Sequence, residues 1–430
     1  MSVDTFPQRT PEDGIVPRLL SSLSTGVGRT EADIQSDIKA LLVAADLGLE
    51  DDNVVLEEQI GDGTRRRIDI ATGRTIIETK KDFAKTDLSS AKEQLAGYIR
   101  TREENTGTEF IGILTDGQDW KLYDLQDDAL LEVSSYRLTT GNTDQERFLV
   151  WLESAMSTRE RIAPTPEEIE LRLGAESSAH LIDLARLRDL YHSAPVKNEV
   201  QVKRALWAKL LRTSFGSGFD DDEAMFLNHT LLVIQAEIIA HAALGFDISP
   251  AGQLEAKTLT TGSEFEEASI FGVVEADFFD WVLDVPGGEA FVVELGRRLS
   301  RFIWEDVQND VLKILYESVI PTEERESLGE YYTPDWLANR IVAETVKNPL
   351  EARVADPSCG SGTFLFHAVR AYLDAAEEAG TSPGQAAVDV CEHVIGMDVH
   401  PVSVTLARVT YLLAIGKDRL NHEDRGDLII

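Results

Sequence analysis

The spacing of apolar residues changes twice along the chain, and this change restricts the possible folds more than any other feature. Between about residues 165 and 325, apolar side chains recur at helical intervals, in stretches such as TLLVIQAEIIAHAAL. On both sides of this stretch, short strand patterns alternate with helix patterns. A chain of 430 residues is also too long for one ordinary core. We therefore predict a multidomain α/β protein whose two α/β parts are joined by a helical connector.

Composition and periodicity divide the chain into four predicted segments: a polar tail at 1–28, a first α/β domain at 29–160, the helical connector at 161–327 and a second α/β domain at 328–430. In the first domain we predict helices at 30–47, 87–103 and 143–157 and strands at 53–60, 65–71, 74–80, 109–115 and 119–124. In the last domain we predict strands at 352–356, 393–399 and 427–430 and helices at 362–380 and 401–415. Thr30 is the expected cap of the first helix, and Asp33 completes a capping box.

The chain is strongly acidic, with 76 acidic and 41 basic residues and a formal net charge of −35. A field of this sign repels phosphate, so the composition excludes nucleic-acid binding driven by overall charge. Binding to DNA must instead rest on local basic groups, such as Arg65–Arg67 and Lys80–Lys81. The 28 arginines outnumber the 13 lysines. This composition suits a high-salt cytoplasm, where screening weakens repulsion, or an acidic protein whose charge lies on the connector, and the sequence leaves both open.

The sequence shows no sign of export or of a structural metal. Its N-terminus is polar and acidic, without the apolar stretch of a secretory signal, and no apolar run approaches the length of a membrane span. Cys359 and Cys391 are the two cysteines, and their spacing is not that of a zinc site. We expect a cytoplasmic protein without disulfide bonds, zinc or a membrane partner.

The segment RRRIDIATGRTIIETKKD predicts a β-hairpin with acidic and basic side chains on one face. A two-residue turn at Thr72–Gly73, where glycine supplies the positive φ that such turns need, sets Asp69 opposite Ile76. Side chains alternate along a strand, so Glu78 and Lys80 share the face of Ile76. Asp69 then lies diagonal to Glu78, at a separation of roughly 7–8 Å. A turn one residue longer would send Asp69 to the opposite face.

These residue types suit the hydrolysis of a phosphodiester. The carboxylates of Asp69 and Glu78 are ligands that Mg²⁺ prefers, and they leave coordination positions for water and phosphate. The metal stabilises charge at the phosphate and lowers the pKa of a bound water. The Lys80 ammonium orients that water or stabilises the developing negative charge. The spacing alone is equally compatible with a solvated hairpin face that carries acid and base by chance.

The hairpin and its flanking helices resemble the PD-(D/E)xK nuclease family, in the form found at the N-terminus of restriction enzymes. The resemblance covers roughly residues 29–125: a helix with an acidic start (TEADIQSDI), a strand with aspartate, a strand with Glu-x-Lys, and a helix reading SAKEQLAGYIR. In that last helix Gln94 and Tyr98 lie one turn apart on one face. Ile68 stands where the family name has proline, a departure that many members share.

The resemblance implies a role for each charged residue of the hairpin. Asp69 and Glu78 bind Mg²⁺, Lys80 is catalytic, and Gln94 supports the site. Glu31, in the first turn of the preceding helix, is a third candidate metal ligand or an ordinary acid favourable to the helix dipole, and both interpretations stay open.

A second group of motifs lies in the last domain. The stretch ARVADPSCGSGTFLFHAV predicts a strand, a glycine-rich turn and a helix whose free N–H groups can meet a ligand. Gly360 and Gly362 allow close approach of the backbone, which is also a feature of dinucleotide-binding domains. Two details argue against a dinucleotide: Leu365 stands where a third glycine is needed, and Asp356 before the loop suits a cationic ligand. Asp398 ends a second strand, where it can accept from ribose hydroxyls.

Three stretches in this order, LGEYYTPDWLANRIV, DPSCGSGTFL and GMDVHPVSVTLA, resemble the adenine-specific DNA methyltransferases of restriction–modification systems. The fold that this implies is Rossmann-like. The residues implied to bind S-adenosylmethionine are Tyr332, Thr333, Pro334, Asp356, Pro357, Cys359, Gly360, Gly362 and Asp398. In the family, the Tyr-Thr-Pro segment packs over the methionine part, the glycine-rich loop cradles the cofactor, and the acid at Asp398 holds the ribose. Cys359 has no chemistry of its own here and is expected to be a small buried residue in a tight turn.

The methyltransferase pattern is incomplete in one essential point. Family catalysis uses an Asn/Asp-Pro-Pro-aromatic loop that binds the amino group of a flipped-out base, and this tetrapeptide does not occur in the 430 residues. The chain alone is therefore expected not to methylate DNA, and a separate polypeptide is a candidate source of the remaining part.

The function expected from the sequence is restriction–modification and phage defence: a Mg²⁺-dependent endonuclease acting on double-stranded DNA, joined to an S-adenosylmethionine-binding core. An alternative from another class is a non-catalytic regulator that binds S-adenosylmethionine or DNA, or a truncated inactive product. A nuclease for RNA or modified DNA is a third, because the fold does not fix the substrate.

Overall fold

The computed structural model describes residues 14–25, 29–45, 47–60, 66–126, 129–139, 142–158, 161–193, 197–215, 219, 221–249, 254–275, 277–307, 310–327 and 332–430. Arg65 and the first four residues of the LGEYYTP stretch lie outside this part of the chain. The chain divides into two compact units: unit 1 comprises Met1–Glu160 and Glu176–Ile182, and unit 2 comprises Arg161–Ala175 and Asp183–Ile430. The division into four segments stays a prediction.

Unit 1 is built on a mixed β-sheet. Its strands are β1 (Val54–Gln59), β2 (Arg67–Thr72), β3 (Thr75–Thr79), β4 (Ile111–Thr115), β5 (Asp119–Gln126) and β6 (Ala129–Arg137). Its helices are α1 (Ile15–Thr25), α2 (Glu31–Ala44), α3 (Leu88–Thr106) and α4 (Asn142–Met156). The strand order is β1-β2-β3-β4-β5-β6, in which β3 and β4 are parallel and the other neighbours antiparallel. The β3–α3–β4 crossover therefore brings the carboxyl ends of β3 and β4 to the same edge.

Alternation along the central strands sends apolar side chains to two separate cores. Ile77 and Ile113 pack with Leu41 of α2 in one core, and Ile76 and Leu114 pack with residues of α3 in the other. Because both faces of the sheet are covered, β3 is buried along its whole length. A charged side chain on β3 is therefore held in a medium of low polarity.

Most predicted elements of this unit are confirmed to within a few residues. The capping box is also confirmed: the Thr30 hydroxyl accepts from the Asp33 N–H, and the Asp33 carboxylate accepts from the Thr30 N–H at 2.9 Å. The two bonds satisfy donors that the first turn of a helix leaves free.

Two elements differ from the prediction. Part of the predicted tail forms α1, whose Leu20 and Leu23 are buried; Pro17 lies in its first turn, where a missing N–H does no harm. The strand β6 was not predicted, because most of its side chains are exposed and show no clean alternation. Edge strands of this kind give a weak periodic signal.

The hairpin turn lies one residue later than predicted. Ala71 pairs with Ile76, which leaves Gly73–Arg74 as the turn in place of Thr72–Gly73. Gly73 has φ 52°, and glycine at the first central position is the arrangement that type II′ turns favour.

The prediction that Asp69 lies opposite Ile76 is therefore wrong. Continuing the observed register sets Asp69 opposite Glu78 itself. Because the turn still contains two residues, the pairing shifts without moving Asp69 to the other face.

Unit 2 is mainly helical. Its helices are α5 (Pro166–Leu173), α7 (Lys197–Phe215), α8 (Glu223–Leu244), α9 (Ala256–Thr261), α10 (Ser263–Glu267), α11 (Gly288–Leu299), α12 (Val311–Val319), α13 (Thr322–Ser327), α14 (Asp335–Thr345), α15 (Thr363–Glu378), α16 (Pro383–His393), α17 (Pro401–Ile415) and α18 (Lys417–Leu420), and α6 (Ser178–Ser193) belongs in part to each unit. Its strands are β7 (Ile270–Phe271), β8 (Val354–Asp356), β9 (Val394–Gly396) and β10 (Leu428–Ile429). The helical run predicted between 165 and 325 is confirmed.

The helix α8 lies at the centre of unit 2. Among the described helices it is the one whose 22 residues have the length and apolar composition of a membrane span, so the expectation that no run approaches that length is wrong. It packs against α9, α11, α12 and α17, and 89% of its apolar window is buried there. Burial in a protein core accounts for this composition, because a helix covered on all sides has no polar face.

The strands β8 and β9 form a parallel pair and lead into α15 and α17, as predicted. Helices α14 and α16 were not predicted, although Ser382 and Pro383 are a typical cap and first residue of a helix. The predicted last strand is present as β10. It pairs in parallel with β7 of the connector, at Leu428 with Ile270, and not with β9.

Candidate functional site

Asp69 lies where β2 and β3 part. Backbone pairing of the two strands ends at Ile70 and Ile77. Beyond that pair, Asp69 Oδ2 accepts hydrogen bonds from the Thr79 backbone N–H at 2.7 Å and from the Thr79 hydroxyl at 2.8 Å. The Asp69 carboxylate thus accepts the Thr79 N–H in place of a backbone carbonyl of β2. The two donors of Thr79 fix the orientation of the carboxylate.

Thr79 is itself held from α2. Gln35 Nε2 donates to Thr79 Oγ1 at 3.2 Å, and both side chains are buried. A chain of hydrogen bonds therefore runs from α2 through Thr79 to the Asp69 carboxylate. Sequence reasoning missed Thr79, which is the middle residue of the Glu-x-Lys motif; a hydroxyl between two charged residues was the available signal.

Glu78 is buried, with 1% of its side chain exposed. Lys80 Nζ donates to Glu78 Oε1 at 2.5 Å. Glu78 Oε2 is buried and has no hydrogen-bond partner among the described residues. Buried carboxylate oxygens are normally satisfied by donors or cations, so this atom is suited to accept one.

The charges around Glu78 converge from three elements. Burial raises the pKa of Glu78 to about 7, and repulsion from Asp69 and Glu31 acts in the same direction, against the attraction of Lys80. Burial alone would lower the pKa of Lys80, but its ion pair with Glu78 and the charges of Asp69 and Glu31 raise it. The structure therefore brings the predicted residues Asp69, Glu78, Lys80 and Glu31 within electrostatic reach of one another.

Glu31 and Gln94 occupy the margin of this group. Glu31 is exposed at the start of α2, and its Oε1 accepts from the Lys81 backbone N–H at 3.2 Å. This contact leaves both interpretations of Glu31 open. Gln94 Nε2 donates to the Tyr98 hydroxyl at 2.6 Å. Burial raises the pKa of Tyr98, and the charges of Glu78 and Asp69 act in the same direction.

The described residues contain no group of three or more His, Cys, Asp or Glu side chains placed to hold a metal ion. Glu31, Asp69 and Glu78 therefore do not form a ready three-ligand cage. Mg²⁺ is usually bound by one or two protein carboxylates, with water and substrate phosphate completing its octahedron. The two acids Asp69 and Glu78 fit that smaller requirement, because Glu78 Oε2 accepts no hydrogen bond from any described residue.

The second predicted group lies at the carboxyl ends of β8 and β9. Gly360 and Gly362 have φ values of 54° and 100°. A Cβ on Gly360 would stand 3.3 Å from Tyr332 Cε1, and one on Gly362 would stand 3.2 Å from Ala407 Cα. Glycine at both positions therefore lets the loop pass between the Tyr332 ring and α17.

Two aspartates hold this loop. Asp398 Oδ2 accepts from the Gly360 N–H at 2.9 Å, and Asp398 Oδ1 accepts from the His400 N–H at 2.9 Å. Asp356 Oδ1 accepts from the Ser358 N–H at 3.1 Å. Each oxygen of a carboxylate has capacity for about two donors, so Asp398 can accept further hydrogen bonds.

The remaining predicted residues surround the same loop. The Tyr332 ring packs against Tyr316, with ring centroids 5.6 Å apart. Thr333 offers its carbonyl to a lysine of α12, and Pro334 is the N-cap of α14. Pro357 is exposed between Asp356 and the glycines. The structure thus places Tyr332 and Asp398 against Gly360 of the loop, whereas Thr333 and Pro334 contact α12 and α14.

Cys359 is buried, as expected of a small residue in a tight turn. Burial raises the pKa of its thiol to about 12, and the charges of Asp398 and Asp356 act in the same direction. The thiol is therefore neutral at physiological pH and is a poor nucleophile.

Sequence reasoning missed Asp310, the N-cap of α12. It is fully buried beneath the glycine-rich loop and accepts from the hydroxyls of Ser361 and Thr363, each at 2.8 Å. The available signal was an aspartate ahead of a helix, which is a common cap in any protein.

The family comparison addresses this second group of residues. Residues 307–424 match the N-6 DNA Methylase family. The match covers just over a quarter of the chain and contains both the glycine-rich loop and Asp398. No curated protein matches the chain.

Three solved structures are similar to the chain at low identity. One is a complex of DrdV with DNA (15% identity, 96% of this chain, 39% of that chain, TM-score 0.33). A second is a nuclease-deletion mutant of the Type ISP restriction-modification enzyme LlaGI with a DNA substrate mimic (14% identity, 67% of this chain, 22% of that chain, TM-score 0.29). A third is the type IIG restriction endonuclease BpuSI (14% identity, 89% of this chain, 40% of that chain, TM-score 0.26). The chain spans two fifths or less of each of these proteins, and TM-scores of this size carry no conclusion.

Proposed function

We propose that the chain is part of a DNA restriction–modification protein of the type IIG or type I-like class. In this proposal, unit 1 is a Mg²⁺-dependent PD-(D/E)xK endonuclease for double-stranded DNA. The buried Glu78, paired with Lys80 beside Asp69, is the observation that carries the nuclease proposal. Unit 2 contributes an S-adenosylmethionine-binding core for adenine-specific methylation, and the family match of residues 307–424 supports that part. The proposed setting is antiviral defence in the cytoplasm.

Asp69 and Glu78 would hold the Mg²⁺ ion, whose chemistry is to stabilise charge on the phosphate and lower the pKa of a bound water. Two further residues of the chain orient and charge this site. Thr79 fixes the direction of the Asp69 carboxylate through two donors. Lys80 remains protonated because its pKa is raised, so its ammonium is available to a phosphate oxygen.

The residues around the glycine-rich loop fit S-adenosylmethionine. The backbone of the loop is bare at Gly360 and Gly362, where a Cβ would meet Tyr332 or α17. Asp398 retains capacity for ribose hydroxyls after binding two N–H groups. Asp356, before the loop, supplies negative charge for a cationic ligand.

Transfer of the methyl group needs the Asn/Asp-Pro-Pro-aromatic loop, which the 430 residues lack. We therefore propose that unit 2 binds S-adenosylmethionine and that methylation requires further polypeptide, supplied separately or as part of a longer protein.

Metal addition and removal test the nuclease proposal. The intact chain is expected to cleave double-stranded DNA when Mg²⁺ is added and to stop when EDTA is in excess, as followed by nicking of a supercoiled plasmid. S-adenosylmethionine binding is measured separately by calorimetry. A chain that binds S-adenosylmethionine or DNA but cleaves no nucleic acid with Mg²⁺ would contradict the nuclease and favour the non-catalytic regulator. If the chain cleaves RNA but not double-stranded DNA, the proposed substrate changes from DNA to RNA.

Removing one hydroxyl tests how Asp69 is oriented. Thr79→Val keeps the shape of the side chain but removes its hydrogen bond to Asp69 Oδ2, whereas Thr79→Ser retains a hydroxyl. A hydrogen bond to a charged group contributes about 1.5–3 kcal/mol, so Thr79→Val is expected to slow Mg²⁺-dependent cleavage about tenfold or more. Thr79→Ser is expected to stay within about threefold of the unaltered chain. Equal rates for both variants would show that the hydroxyl does not orient the site.

A further inference from the structure

Two buried polar residues lie one turn apart at the start of α12. Asp310 is its N-cap and Lys313 its third residue, and their relative exposures are 3% and 5%. Neither belongs to the motifs from which the cofactor site was predicted. Burial of a carboxylate and an ammonium is unfavourable unless both are well hydrogen-bonded, so their partners show what holds them there.

Asp310 binds the glycine-rich loop from below. Its Oδ2 accepts from the hydroxyls of Ser361 and Thr363, which stand on either side of Gly362. Its Oδ1 accepts from the Lys313 N–H at 3.0 Å and from the Thr410 hydroxyl at 3.2 Å. Four donors saturate an ionised carboxylate. Asp310 therefore has no acceptor left for a ligand, and its four bonds join the glycine-rich loop to α12 and α17.

Lys313 contacts the Tyr-Thr-Pro segment. Its Nζ donates to the Thr333 carbonyl oxygen at 2.5 Å, in the middle of the Tyr-Thr-Pro segment. The neighbouring Tyr332 ring packs closely against the loop, because a Cβ added at Gly360 would stand 3.3 Å from Tyr332 Cε1. One helical turn thus fixes the loop through Asp310 and the Tyr-Thr-Pro segment through Lys313.

We propose that Asp310 and Lys313 are positioning residues that set the separation of the glycine-rich loop and the Tyr-Thr-Pro segment before S-adenosylmethionine binds. The proposal rests on the proposed function of unit 2. A helical turn is rigid, so two contacts from it hold both sides of the pocket at one spacing. Pre-formed sites bind more tightly because less ordering remains for the binding step.

The first test changes the loop side. Thr363→Val removes the hydroxyl that donates to Asp310 and keeps the shape of the side chain, and Thr363→Ser keeps the hydroxyl. Calorimetric titration of the intact chain with S-adenosylmethionine is expected to give about a tenfold higher Kd for Thr363→Val and a change within about threefold for Thr363→Ser. Combining Thr363→Val with Asp310→Asn is expected to raise the Kd by less than the product of the two single effects. Both substitutions disrupt the same hydrogen bond, the one between residues 363 and 310.

The second test changes the Tyr-Thr-Pro side. Lys313→Met keeps the length of the side chain and removes its bond to Thr333, and it is expected to raise the Kd about tenfold. Lys347→Met is the matched control, because the exposed Lys347 also donates to a backbone carbonyl, that of Ala343, outside the pocket. The control is expected to leave the Kd unchanged.

Thermal unfolding without cofactor separates positioning from general stability. A positioning role raises the Kd measured well below the Tm, whereas a merely structural role lowers the Tm and leaves that Kd alone. If Thr363→Val does not fold, Ser361→Ala and Lys313→Met decide the question. An unaltered chain that binds no S-adenosylmethionine would overturn the proposed function of unit 2. An unaltered chain that binds it, with Thr363→Val and Lys313→Met binding equally well, would overturn the positioning role alone.

Discussion

Glu78→Gln is expected to reduce Mg²⁺-dependent cleavage of double-stranded DNA by at least about 10³-fold. Glutamine has the size of glutamate, but its neutral amide neither balances a divalent cation nor offers a second carboxylate oxygen. The oxygen removed, Oε2, is the buried atom that has no hydrogen-bond partner in the part of the chain that the structure describes. Initial rates of plasmid nicking at pH 8, over a range of Mg²⁺ concentrations, measure the loss.

The matched control is Glu132→Gln on β6 of the same sheet. Glu132 also pairs with a lysine, Lys121, at 2.8 Å, but its side chain is 34% exposed, so the control removes the same chemical group from a solvated ion pair. Its cleavage rate is expected to stay within about threefold of the unaltered chain. Because burial disfavours the charged form of Glu78, Glu78→Gln is not expected to lower the Tm at pH 8. A folded Glu78→Gln variant that cleaves at the unaltered rate would remove Glu78 from the metal site.

The β2–β3 hairpin shows which parts of a candidate site the sequence can predict. Alternation along a strand depends only on local geometry, so the shared face of Glu78 and Asp69 follows from counting residues. The register cannot be predicted in this way, because alternative two-residue turns one position apart differ little in conformational energy. In the structure Gly73 adopts its positive φ as the first residue of the turn and not as the second. The predicted and observed turns both contain two residues. Asp69 and Glu78 therefore share a face even though the turn lies one residue later.

Contacts between distant segments escaped the sequence analysis. Thr79 bonds to Asp69 ten residues away and to Gln35 of α2, and no periodic pattern marks a hydroxyl that links two elements. Asp310 joins the glycine-rich loop, 51 residues later, in the same way. Such bonds depend on how the elements pack, whereas motifs report on residues that are close along the chain. Motif reasoning therefore named the candidate residues and missed Thr79 and Asp310, which hydrogen-bond to them or to their loop.

The pairing of β10 shows a similar limit. An apolar run at residues 427–430 predicts a strand, and the strand is present, but its partner β7 contains two residues that follow a helical stretch. Strand patterns do not encode the identity of the neighbour, which non-local packing decides. The sequence therefore predicted the last strand correctly but did not predict that β7 is its partner.

The second large effect concerns pH. Cleavage by the intact chain is expected to rise about tenfold per pH unit from pH 5 to pH 7 and to level off above it. In the proposed site, Mg²⁺ would bind the carboxylate form of Glu78. Burial raises the pKa of Glu78 to about 7, with repulsion from Asp69 as the next cause. Lys80 has a raised pKa and stays protonated throughout, so it adds no falling limb in this range.

Stability is expected to change in the opposite direction. The pKa of Glu78 is higher in the folded chain than the ordinary value of 4.5, so the stability that its proton contributes is complete below pH 4.5 and is lost as pH rises through 7. The unfolding free energy without Mg²⁺ therefore falls from pH 5 to 7 through this group while cleavage rises. Loss of structure in acid would instead lower both together.

A rate profile at several Mg²⁺ concentrations completes the test, because Mg²⁺ and the proton compete for the same carboxylate. More Mg²⁺ is expected to move the midpoint of the profile to lower pH, by up to one unit for each tenfold increase. A midpoint near the ordinary glutamate value of 4.5 that does not respond to Mg²⁺ would show that Glu78 is not the titrating ligand. The same profile for Glu132→Gln should coincide with that of the unaltered chain, since the largest effects on the pKa of Glu78 come from burial, Asp69, Lys80 and Glu31.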